Sequence, residues 1–145
     1  MHAKVVAVCI SQNKGERKTP VDSVELIANH GIAGDAHAGE WHRQVSLLAE
    51  ESIAKMQQMG LAVDAGDFAE NITTAGIDLP SLPIGARLAI GATILEITQI
   101  GKECHTRCAI YYQARDCVMP KEGIFAKVIK GGTIAAGDSI IRLNP

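Results

Sequence analysis

The chain has 145 residues, 47% hydrophobic but only 3% aromatic, so Val, Ile, Leu and Ala must fill the interior of what is expected to be a single domain over residues 1–145. A formal net charge of −2, with no basic tract and no run of stacking aromatics, excludes a general pull toward nucleic acid or an anionic membrane. No apolar stretch approaches the roughly 20 residues that span a bilayer, "MHAKVVAVCI" lacks the charge and cleavage site of a signal peptide, and four irregularly spaced cysteines make no disulfide framework, so a cytoplasmic location is expected.

In chain order, Lys4–Ile10 is apolar and Val-rich and predicts a strand. "SQNKGERKTP" is polar, with Gly15 and Pro20, and predicts a loop. Val24–Ala28 is a short second strand. "HGIAGDAHAGEWH" holds too many glycines for a regular element. "QVSLLA" predicts a buried strand, and "EESIAKMQQMG" has the one convincing helical pattern. In it Ile53, Met56 and Gly60 share a face, Glu50 and Glu51 suit the first turn, and Gly60 suits the stop. Short strands follow: Arg87–Ile90, Thr93–Ile100 after Gly91, a core segment with Ile124, Phe125 and Val128, an exit at Gly131 and Gly132, and Ser139–Leu143 after a Gly-Asp turn. The expected class is mostly β with minor α: a β-barrel with one or two helices. A Rossmann-type sheet is not expected, because strands and helices do not alternate regularly.

Four stretches carry the candidate chemistry. "GKECHTRCAIYYQARDC" holds three of the four cysteines. Cys104 and Cys108 are too loosely paired for the usual structural zinc pattern and lack the C-x-x-C of a dithiol, though zinc and a redox pair both stay open. Buried small hydrophobes are the plain alternative, and it is the one expected for Cys9. Around Cys104, however, Lys102, His105 and Arg107 supply positive charge that favours a thiolate able to bind a soft metal or carry sulfur. In "GIAGDAHAGEWHRQVSLL" glycine turns expose N–H groups suited to anions, and Asp35, His37, His42, Arg43 and Gln44 crowd together before a strand. In "GDFAENITT", Asp67 is expected to make a turn and Asn71 to satisfy local backbone. In "CVMPKEGIFAKVIKGG", Pro120 is expected to turn the chain, and Lys121 and Lys127 to be solvated rather than to hold an anion. No Walker loop, G-x-G-x-x-G, G-x-S-x-G or H-E-x-x-H motif occurs.

Together "GIAGDAHAGEWHRQVSLLAEE", "GDFAENITTAGIDLPSLPIGARLAIGATILEITQIGKECH" and "GIFAKVIKGGTIAAGDSI" resemble a MOSC domain, the module named after the C-terminal part of molybdenum cofactor sulfurases. The resemblance covers nearly the whole chain. It implies a β-barrel-rich fold, binding of the pterin-based molybdenum cofactor (molybdopterin), and a key cysteine after the strand ending "EITQIG". Cys104 stands at the Pro-Cys position of bacterial members, but Glu103 replaces the Pro. Cys108, in "TRC", fits the Arg-Cys pattern of other members. Either is the implied metal ligand and reactive residue. By the same resemblance His37, His42, Arg43, Gln44 and Asn71 shape the cofactor pocket; Lys102 and Arg107, from their charge, are expected to serve the same guest. Zinc is the lesser alternative, and pyridoxal phosphate is not expected. The implied function is a cofactor or sulfur carrier serving a molybdoenzyme or a cofactor-biosynthesis protein. The alternative is a molybdenum-dependent reductase of N-hydroxylated bases fed by a separate reductase.

Overall fold

Short apolar and alternating stretches write strands along the length of the chain, and a computed structural model shows them paired. The structure describes residues 3–13, 16–101 and 122–143. Its strands are β1 (Lys4–Ile10), β2 (Thr19–Val21), β3 (Ser23–Ile27), β4 (Gly31–Ile32), β5 (Val45–Ala49), β6 (Ile72–Ala75), β7 (Arg87–Ile90), β8 (Thr93–Ile100), β9 (Ile124–Lys130), β10 (Gly132–Ala135) and β11 (Ile140–Leu143), with one α-helix, α1 (Glu50–Gln58), and a 3₁₀ turn at Leu79–Ser81. The mostly-β expectation with minor helix therefore holds, as do the bounds of β1, β7 and β8.

The sheet does not close into a barrel. Eight strands run in the order β11-β7-β8-β9-β5-β6-β1-β2, and β10-β3-β4 form a separate three-stranded sheet. Closure needs a continuous register around the circumference. Here β2 already covers Val8–Ile10 of β1, so the far end of the sheet reaches only the first residues of β1. The contact is one bridge, Lys4 with Ser139, flanked by Val5 N donating to Asp138 O at 2.8 Å and Ile140 N donating to Ala3 O at 2.9 Å.

All five residues of β5 are buried because both faces of this strand are covered. Val45, Leu47 and Ala49 join the main core with Val5, Ile72, Leu95 and Ile97. Leu48 faces the other way, into a second cluster with Ile53 and Met56 of α1 and with Phe68 and Phe125. The helix carries Glu50 and Glu51 in its first turn and Lys55 in its last, as its macrodipole favours. Gly60, at φ +90°, stops it. The strand pair β8 and β9 is antiparallel and shifts register between Ile97 and Gln99, a bulge that re-aims the end of β8. Gly101 N donates to Gly123 O at 2.6 Å, so the flanks of the cysteine-rich stretch meet side by side.

Candidate functional site at the glycine-rich loop and the end of β8

The chain between β4 and β5 is short of side chains that could fill a core, so main-chain and buried polar bonds hold it. Gly31, at φ +120°, packs where an added Cβ would sit 2.8 Å from Gln44 O, and only glycine combines that dihedral with that approach. Beneath the loop lies a sealed ionic cluster. Lys18 Nζ donates to Asp35 Oδ1 at 2.8 Å and to Ser11 Oγ at 3.0 Å, and neither charged side chain has any solvent exposure. Asp35 also accepts from Ser11 N at 3.1 Å and from His37 N at 3.0 Å. Burial alone would raise the Asp35 carboxyl, but the bond from Lys18, the bonds from the His37 and Ser11 amides and the Lys18 charge together hold it below the usual carboxylate range. His37 Nδ1 lies 3.1 Å from Lys18 Nζ. Ammonium only donates, so Nδ1 accepts and the ring carries its proton on Nε2. Trp41 Nε1 donates to His37 O at 2.7 Å, and its ring stacks parallel to that of His37.

The outer half of the loop reaches β8. Arg43 Nε donates to Gln99 Oε1 at 3.0 Å, and His42 Nε2 lies 3.1 Å from the same oxygen. Thr98 Oγ1 donates to His42 O. The Arg43 guanidinium stands 5.4 Å from the centroid of the Phe125 ring, a cation–π arrangement. Gln99 Nε2 donates to Gly101 O at 2.8 Å, at the root of the cysteine-rich stretch.

Of the residues expected at the site, the structure thus brings His42 and Arg43 together on Gln99 and places His37 over the Lys18–Asp35 pair. Gln44 is buried beside them, but its Oε1 accepts from Val128 N at 2.9 Å and its amide faces Asn29 Oδ1 at 3.4 Å. Asn71 is fully buried. It accepts from Ser46 N at 3.0 Å and donates to Cys9 O at 3.1 Å, stitching β5 to β1. Both side chains bond to main chain far away in sequence, Gln44 across 84 residues and Asn71 across 62. Asp67 makes the expected turn, accepting from Asp64 N at 2.9 Å, and Lys127 pairs with Glu96 at 3.2 Å. Lys102, Cys104, Arg107, Cys108 and Lys121 lie outside the described residues, as do His105, Cys117 and Pro120.

Sequence reasoning missed Lys18, Ser11 and Gln99. Lys18 looked like one more charge in a polar loop. In the fold its side chain is sealed against Asp35, and its main chain is packed so closely on Gly66 that a Cβ there would sit 2.2 Å from Lys18 O. Glu70 is buried too, and burial pushes its carboxyl above the usual range despite bonds from Thr73 Oγ1 at 2.8 Å and Phe68 N at 3.3 Å. Gln99 had one signal, a polar side chain late in an apolar strand. Among the described residues, no group of three or more His, Cys, Asp or Glu side chains is placed to hold a metal ion, and no helix is long and apolar enough to cross a membrane.

Comparison with known proteins adds the following. The family described as the MOSC domain matches residues 34–141. Among solved structures, the chain is similar to the YuaD protein of Bacillus subtilis, with a TM-score of 0.79 and 21% identity over 97% of this chain and 94% of that one. It is also similar to YiiM of Geobacillus stearothermophilus (0.72 and 18%, over 98% and 75%) and to YiiM of Escherichia coli (0.70 and 18%, over 100% and 71%). At these identities the likeness is one of fold. No curated protein matches the sequence.

Proposed function

This chain belongs to the MOSC domain family, and from that premise we propose that it binds the molybdenum cofactor and acts as a cofactor or sulfur carrier through Cys104 or Cys108. The observation that supports this reading is the meeting of Arg43 and His42 with Gln99, one residue before the end of the strand that leads into both cysteines. A pterin-bound molybdenum needs cations and N–H donors for its phosphate and one soft thiolate for its metal. The donor set fits. The Arg43 guanidinium has an amide oxygen and an aromatic face as partners and no carboxylate among the described residues. His42 and Arg43 would hold the anionic end, with His37 alongside, while Gln44 and Asn71 fix the walls through their main-chain bonds. The cofactor itself, when bound, supplies the redox and sulfur chemistry. The protein's part is to bind, to orient, and to keep one sulfur ionised in a sequence that carries Lys102 and Arg107.

The test is to purify the protein from cells that make the cofactor and to measure molybdenum, pterin and labile sulfur. Stoichiometric pterin and molybdenum, or a persulfide, are expected in the wild type, and they should be lost in Cys104→Ser or Cys108→Ser with the fold intact. Full retention in both variants removes the cysteine assignment. Turnover of an N-hydroxylated purine by the loaded protein with an added reductase would replace the carrier by the reductase. Zinc at unit stoichiometry, lost together with the fold on chelation, would replace both.

A further inference from the structure

We propose that Gln99 is a positioning residue of the anion site, and that its being an amide rather than a carboxylate leaves the Arg43 charge available to an anionic guest. This rests on the reading of the site given above and names a part of it that neither the sequence motifs nor the family resemblance singled out.

The hydrogen-bond network fixes the orientation of the amide. Arg43 Nε–H can only donate, so the atom 3.0 Å from it is the carbonyl oxygen Oε1. Nε2 then points to Gly101 O at 2.8 Å, where only a donor fits. His42 Nε2, 3.1 Å from the same Oε1, must therefore carry a proton. One side chain thus orients two donors of the loop and ties them to the end of β8. The bulge between Ile97 and Gln99 makes this possible. It breaks the alternation of β8 and sets Gln99 opposite Phe125, whose ring carries the Arg43 guanidinium.

The electrostatics give the amide its second role. The one carboxylate of β8, Glu96, is engaged by Arg87 and Lys127, each at 3.2 Å. No carboxylate pairs with Arg43 among the described residues. A guanidinium that is half-buried, oriented and without a carboxylate partner among the described residues has the form of a phosphate or oxyanion receptor. A glutamate at position 99 would match the geometry of Arg43 equally well, but it would act as a resident anion and lose the donor to Gly101 O.

The experiment uses 15N-labelled protein without cofactor and inorganic phosphate as probe, following the Arg43 Nε–H signal in wild type, Gln99→Glu and Gln99→Met. Phosphate should shift that signal in the wild type. Gln99→Glu should bind at least tenfold more weakly, because the guest must displace a built-in carboxylate. Gln99→Met keeps the charge free but loses the orientation, and should fall between the two. It adds no charge and so decides the positioning role even where Gln99→Glu fails to fold. A purely structural role would lower the unfolding midpoint of both variants without this ordering. Phosphate affinity of either variant within twofold of wild type overturns the proposal, and so does a wild-type Arg43 signal that ignores phosphate. Cofactor analysis of the wild type is read separately. Protein that binds phosphate in this order but retains neither cofactor nor persulfide refutes the carrier reading and leaves Gln99 in place. Protein that retains cofactor but fails the phosphate series does the reverse.

Discussion

Cys9 sits in β1 with no solvent exposure, and its sulfur lies beside Gly66, 3.2 Å from where a Cβ there would stand. Burial, then the nearby Glu70 charge, push its thiol up to about 12, with Lys18 pulling down and Asp67 adding a little. A folded-state value above the ordinary 9.0 means the contribution to stability is whole below pH 9 and drains away as pH rises toward 12, by about 4 kcal/mol over that window. Cys9→Ala has no thiol to ionise. Its unfolding free energy, measured in urea between pH 8 and pH 11 at roughly half-unit steps, should fall less steeply than that of the wild type. Parallel slopes would mean that the buried thiol does not titrate with the fold. At this scale the sequence was informative about Cys9, because an apolar strand surrounds it. It was less so about Asn71, read as satisfying local backbone. Its bonds go to main chain, but to residues 25 and 62 positions away, and no spacing in the sequence reports a long-range bond.

Among elements, β5 carries the most. It pairs with β6 in parallel through Leu47–Ala49 and with β9 antiparallel through Val45–Leu47, and it leads the site residues His42, Arg43 and Gln44 directly into the core. Leu47→Ala should cost about 2–5 kcal/mol, since close packing on both sides leaves the cavity no way to collapse. Ile141→Ala, at a side chain 59% exposed on the outermost strand β11, should stay within about 1 kcal/mol. Chemical denaturation of the two variants decides, and comparable losses would show that β5 is not the structural centre. The same contrast explains which elements were legible. β1, β7 and β8 are long enough to show a period, and "EESIAKMQQ" shows Ile53 and Met56 on one buried face. β2 has three residues, one of them Pro20, and β4 has two, too few for any period. They exist because β1 and β3 offer open edges. The open sheet in place of a barrel has the same origin, since β2 takes the edge that closure would need. The site was half legible. Its loop residues stood out by their glycines, whereas the partner Gln99 lies 56 residues from Arg43 and became visible only once β8 was paired.

For the molecule as a whole, the pairing is non-local. β1 pairs with β6, β5 with β9, and β10 returns to β3, so no continuous half of the chain can bury its apolar face alone. Loop-closure entropy must be overcome before these contacts reward it, and unfolding should be a single cooperative step. Native-state hydrogen exchange gives the sharper test. Amides of Leu47, Leu48 and Ala126, in strands with neighbours on both sides, should exchange only through global opening, with the free energy found from denaturant. Those of Thr19 and Val21 in β2, which has one neighbour, should exchange through smaller openings at distinctly lower free energy. If the β5 amides instead opened below the global value, the loop between β4 and β5 would be hinged rather than held. Arg43 and Gln99 are joined across the sheet by the lead-in to β5 and the end of β8, so that outcome would let them part without unfolding. Global protection of β5, by contrast, means that the guanidinium is oriented before any anion arrives, and binding then avoids the cost of ordering it.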